Sequence, residues 1–171
     1  TIKSISVTML IMVALLFLSC ETEVPETDIE PPKITFIIRG NGIDKTFNYD
    51  EGEFHELNLT DGVTYDFVYS VGDTGGLKEM SLGFDPTVMN IETDIPSSWT
   101  NATVDLGDAS LSSVYTWVGE GNNPVTGNIL TGKFKVDGDD EVFLFFLQAN
   151  DYGGESMESN SSRKTITINI N

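Results

Sequence analysis

Residues 63–71, VTYDFVYSV, decide the fold. Val63, Tyr65, Phe67, Tyr69 and Val71 alternate with Thr64, Asp66, Val68 and Ser70, which is the period of a β-strand with one face buried and the other wet. The same period runs outward in both directions. Upstream, Ile34, Phe36 and Ile38 alternate with Thr35 and Ile37 before a Gly40-Asn41-Gly42 turn. A weaker run follows from Ile43 to Tyr49, and then Leu57 and Leu59 lead into an Asp61-Gly62 turn. Downstream, Asp73-Thr74-Gly75-Gly76 turns the chain, and Met80, Leu82 and Phe84 share one face. A strand is expected at Leu111–Val118, another around Leu130, Phe134 and Val136, and a last one carrying Lys164, Ile166, Ile168 and Ile170. Val142–Leu147 is apolar at every position, which predicts a central strand covered on both sides. No segment carries the 3.6-residue period of an amphipathic helix. Short strands separated by turn signals predict an all-β sandwich, with a small closed barrel as the rival.

Two pairs of segments sharpen that choice. Val142–Gly154 followed by Lys164–Ile170 resembles the last two strands of bacterial immunoglobulin-like domains, of the cadherin or fibronectin III kind. Tyr65–Gly76 followed by Leu77–Leu82 resembles their B and C strands. The resemblance implies an immunoglobulin-like antiparallel β-sandwich over residues 33–171, with an irregular insertion at 85–128. It also implies that the B–C and F–G loops share the end at which the first strand begins, and that the insertion leaves from the opposite end. The chain departs from antibody-type domains in having no B–F cysteine pair and no core Trp on the C strand.

The front of the chain is of another kind. Ile5–Leu18 is an apolar run with Lys3 before it, too short for a comfortable membrane-spanning helix. Leu16–Phe17–Leu18–Ser19–Cys20, at its end, resembles a bacterial lipobox. That implies a signal peptide at 1–19, lipidation of Cys20, and attachment to a membrane through that cysteine. The alternative is an uncleaved N-terminal anchor. Cys20 is the only cysteine, so one chain can build neither a disulfide nor a zinc cluster. Residues 20–32 form an acidic, proline-containing tether, stiff and with almost nothing to bury. Acids directly after the cysteine resemble the export signals of surface-displayed lipoproteins, so the expected location is the outer membrane of a Gram-negative cell, facing outward.

The whole chain of 171 residues carries a formal charge of −18. Residues 20–171 keep eight Lys and Arg against 27 Asp and Glu, a formal −19. Such a surface repels phosphate backbones, which excludes a nucleic-acid role.

Three constellations are candidates for sites. Asp73 and Asp151 each open an Asp-x-Gly-Gly turn, and Asp28 and Glu30 are expected at the same end. Converging carboxylates suit Ca²⁺, which takes six to eight hard oxygens. Asp and Gly are also ordinary turn residues, and without an ordered DxDxDG loop the turn reading comes first. No cofactor is required. Tyr115 and Trp117 share a strand face and Trp99 lies in the same insertion; together they are the candidate stacking surface for a glycan, set against the reading that they cover the core. His55, the lone histidine, has no evident nucleophile beside it, and no carboxylate pair stands out for glycoside cleavage. The expected function is therefore non-catalytic. It is a lipid-anchored binding or adhesion module presenting distal loops to an envelope protein or a glycan. A glycan-binding accessory of an uptake system and a structural subunit that pairs at a sheet edge are the rivals.

Overall fold

The computed structural model describes residues 28–48, 50–52, 54–105, 111–138, 141–153 and 158–171. The expected signal peptide, Cys20 and the expected tether up to residue 27 lie outside the described residues. All ten elements are strands: β1 Lys33–Gly40, β2 Ile43–Phe47, β3 Phe54–Leu59, β4 Thr64–Phe84, β5 Met89–Ile91, β6 Trp99–Asp105, β7 Leu111–Val118, β8 Val125–Val136, β9 Val142–Asp151 and β10 Ser161–Ile170.

The expected strands at 63–71 and 77–84 are two halves of one strand, β4. The first half pairs with β1 on one side and with β8 on the other (Phe36 opposite Tyr69, Leu130 opposite Tyr69). The second half pairs with β9 and β7 (Leu82 opposite Leu147 and Tyr115). Between Gly72 and Leu77 the register with β8 jumps, because Gly72 faces Gly127 while Leu77 faces Val125. At that bulge β4 leaves one layer and joins the other. One layer runs β2-β1-β4-β8-β5 and the second β6-β7-β4-β9-β10-β3. The second half of β4, β9 and β10 stand in the relation of C, F and G strands, so the sandwich is immunoglobulin-like. All pairings are antiparallel except that of β3 with β10.

The two layers meet through aromatic rings. Phe36 of the first lies 5.0 Å from Phe145 of the second, ring centroid to centroid. The Tyr69 hydroxyl donates to the Gln148 carbonyl at 2.7 Å, and burial pushes its pKa far up. At the far end, the Thr60 N–H donates to the Tyr65 hydroxyl at 2.9 Å. Ile34, Phe36, Tyr65, Tyr69, Leu82, Leu147 and Ile166 are all fully buried.

Two expectations need correction. The segment 85–128 is more regular than expected, since it supplies β5, the β6–β7 hairpin and the start of β8. Its β6–β7 hairpin extends the edge of the second layer, and β5 forms the edge of the first. The outer face of β9 is bare: Val142 and Leu144 are 62% and 61% exposed. Their apolar character therefore does not reflect a cover from the described residues.

Phe36→Ala opens a void where the layers meet. It should lower unfolding free energy by about 3–5 kcal/mol, read as a fall in the denaturant midpoint with little change in slope.

Candidate functional site

The end at which the chain enters the domain gathers three carboxylates. Asp28 lies just before β1, Asp73 on the β4 bulge, and Asp151 at the end of β9. One carboxylate oxygen from each falls within 4.8 Å of the others. Local backbone bonds hold them there. The Asp28 N–H donates to the Gly153 carbonyl at 3.2 Å, and the Tyr152 N–H to the Gly76 carbonyl at 2.9 Å. Asp28 is buried and Asp151 has no exposure at all, while Asp73 is half-buried.

Their hydrogen bonds differ. Asp151 accepts from both the backbone N–H and the side-chain amide of Asn160. That amide also donates to the Asp28 carbonyl at 2.9 Å, so Asn160 ties two of the three acids together. Asp28 accepts the Glu30 N–H at 3.0 Å and the Thr74 hydroxyl at 3.1 Å. Asp73 accepts the Gly75 N–H at 2.8 Å. Burial, followed by the charges of Asp151 and Asp28, pushes the Asp73 carboxyl up to about 6. The ion pairs of the described residues are Lys33–Glu30, Arg39–Asp44, Lys133–Asp66 and Lys135–Asp137, and none includes a triad acid. Glu30 stands apart, its carboxylate 3.3 Å from the Lys33 ammonium, and lines with Lys33, Asp73 and Thr126 a neighbouring cavity of about 340 Å³.

Chemically, the triad offers hard oxygen donors of net negative charge. Two ligands of a single Ca²⁺ at about 2.3–2.6 Å stand at most about 5 Å apart, and the observed spacing falls inside that limit. Sequence reasoning named all three acids together with Glu30, and it missed Asn160 and Thr74. Nothing in Ser159–Asn160–Ser161 distinguishes Asn160 from its polar neighbours.

The aromatic group is arranged otherwise. Register sets Trp99 directly opposite Trp117, and Trp117 opposite Met80, on the face that also carries Leu82 and Phe84. Trp99 is only 7% exposed, so it has no free ring face for a sugar. Tyr115 stacks on Phe84 at 6.0 Å, and it and Trp117 are half-buried against the core. His55 packs 5.0 Å from Phe47, with its Nε2 buried and unpartnered among the described residues. Lys164, also missed, is buried and donates to the Glu51 carbonyl at 3.0 Å; burial lowers its pKa.

No family profile matches the chain, and neither does any curated protein. Solved structures similar to it include a cohesin module of a Clostridium perfringens family 33 glycoside hydrolase (10% identity, TM-score 0.37, covering 67% of this chain and 91% of that one). A non-cellulosomal cohesin from Archaeoglobus fulgidus is similar at 14% identity and TM-score 0.37, covering 69% and 88%. The major subunit of aggregative adherence fimbriae type I from Escherichia coli is similar at 12% identity and TM-score 0.35, covering 85% and 99%. Likenesses of this degree carry no argument about function.

Asp73 has a folded pKa of about 6 against an ordinary 3.8, so folding takes up a proton between those values. Its contribution to stability is present below the lower value and is lost as pH rises through the upper one. In chelator, Asp73→Asn should raise the melting temperature at pH 7 and flatten the loss of stability between pH 4 and 6, as followed by circular dichroism.

Proposed function

We propose that the chain is a lipid-anchored, non-catalytic binding module of the bacterial cell envelope. Cys20 carries the lipid, residues 21–32 space the sandwich from the membrane, and the far end of the sandwich meets a protein ligand. The observation that carries this reading is the bare apolar pair Val142 and Leu144. They sit on the outer face of β9, toward the end opposite the triad at which the chain enters. Apolar side chains exposed next to one another on a sheet face favour a protein surface over a sugar. The loss of Trp99 from the candidate stacking surface supports the same choice.

Two experiments test the reading. Expressed in a lipoprotein-processing bacterium, the protein should incorporate labelled palmitate and fractionate with membranes, and Cys20→Ser should lose both. Equal labelling of the variant would reject the anchor. Against a polysaccharide panel the protein should be silent. Saccharide binding that disappears in Trp117→Ala would replace the protein ligand with a glycan at Tyr115 and Trp117.

A second proposal concerns the triad. Asp28, Asp73 and Asp151 hold a Ca²⁺ that clamps the last residues of the tether to the β4 bulge. Three carboxylates drawn within ligand spacing, with no ion pair to any of them among the described residues, favour it. Millimolar Ca²⁺ should raise the melting temperature at pH 7, and the rise should vanish in Asp151→Asn. An equal melting temperature in Ca²⁺ and in chelator leaves Asp73 and Asp151 as turn residues.

A further inference from the structure

β6 closes the second layer, and no strand of the described residues pairs with the outer edge of Thr100–Val104. It pairs only with β7 among the described residues. Its inner side is well defined by register: Trp99 faces Trp117, Asn101 faces Tyr115 and Thr103 faces Ser113. The Trp99 N–H donates to the Pro96 carbonyl at 2.9 Å, so the backbone groups of residue 99 turn away from β7. In an antiparallel pair that orientation repeats every second residue. The N–H and C=O groups of Asn101 and Thr103 therefore also point outward, and no backbone partner meets them among the described residues.

Proteins normally blunt such edges with charge, proline, a bulge or brevity. The other outer strands do so. β2 carries Asp44 and Lys45, β3 carries Glu56, and β5 is three residues long. β6 carries its one charge at its last residue, Asp105; Thr100–Val104 before it has no charged residue, proline or glycine, and every one of those residues is exposed.

We infer that the open edge of β6 accepts an extended strand of another protein, bonded to the backbone groups of Asn101 and Thr103. The inference rests on the reading of the domain as a protein-binding module. A segment added there would run beside Thr100–Val104 and extend the face where Tyr115 and Trp117 remain half-buried. Charge selects the occupant. Residues 20–171 carry eight basic against 27 acidic side chains, so a neutral or basic segment fits and a second copy of this chain is repelled.

The test uses hydrogen exchange in ¹⁵N-labelled protein with a synthetic peptide that alternates threonine and valine and has lysine at both ends. The peptide should slow exchange at the Asn101 and Thr103 amides by about tenfold or more. It should leave Ala102 and Val104, already bonded to β7, unchanged. A peptide N-methylated on its bonding edge should have no effect. In Thr103→Pro the missing N–H faces solvent, so the ladder to β7 stays whole, the melting temperature holds and the protection disappears. No slowing at Asn101 and Thr103, equal slowing by the methylated peptide, or protection that survives Thr103→Pro would overturn the inference. So would collapse of Thr103→Pro, since its N–H would then belong to the ladder, or a protein that dimerises unaided with these amides already protected. Retention of an envelope ligand by folded Thr103→Pro would remove the edge and leave the binding-module reading standing.

Discussion

The structure depends on one corner. β4 serves both layers, so it must leave the first and enter the second without losing its neighbours, and it does so at Asp73–Gly76. Residues 73–76 stand opposite the single residue Thr126, between Gly127 and Val125, and their backbone cannot be satisfied by the ladder. Asp73 and Tyr152 supply the missing bonds, to the Gly75 N–H and the Gly76 carbonyl. Gly76 adopts φ +88°, and a Cβ there would come within 2.7 Å of Pro124. Any other residue at 76 would strain the backbone and press on the loop that leads into β8. β1 and β8 can flank one half of β4, and β7 and β9 the other, because this corner lets the two halves diverge.

Satisfying the corner concentrates charge. An aspartate is the natural side chain to bond a turn N–H, and the corner, the end of β9 and the incoming segment each use one. The topology then places all three together. Asp151 offsets its burial with two bonds from Asn160. Asp73, bonded to one N–H of its own turn and facing the other two acids, is held well above the usual carboxylate range. The ion pairs elsewhere have largely exposed partners and contribute about 0–1 kcal/mol each, and none of them neutralises an acid of the corner. The corner also lies where residues 28–32 lead into β1, so the same residues fix how the chain enters the sandwich.

Much of this was legible in the chain. The alternation at 63–71 carried the buried row Tyr65, Phe67, Tyr69 and Val71 onto one face, and β7 spans the residues that its pattern predicts. Asp28, Asp73 and Asp151 could be brought together because the resemblance to immunoglobulin-like domains implies that the B–C and F–G turns and the start of the first strand share one end. Glu30 could not be separated from them, since two residues in an extended segment decide whether a carboxylate faces the corner or Lys33. β6 was missed because WTNATVD mixes polar and apolar residues on both faces, as an edge strand with one neighbour can. The burial of Trp99 follows from its register against Trp117, a long-range pairing that no local pattern encodes.

The error over β9 is of a different kind and is the more informative. VFLFFL is apolar on both faces, and for a strand of a folded domain the economical inference is a cover on both sides. The inner residues Phe143, Phe145 and Leu147 are buried as that inference requires. Outside, Phe146 lies over Gly83, where a Cβ would come within 2.1 Å of the ring, and Arg163 sits 5.2 Å from its centroid, so one of the three outer residues is accommodated. Val142 and Leu144 are not. Local pattern and global fold agree along most of this chain, and where they disagree the residue types answer to something other than the chain's own core. Keeping two large aliphatic side chains in water gives the folded domain no burial in return. Exposed on one face of the same strand, Val142 and Leu144 would give a partner apolar area to bury on the outside of β9.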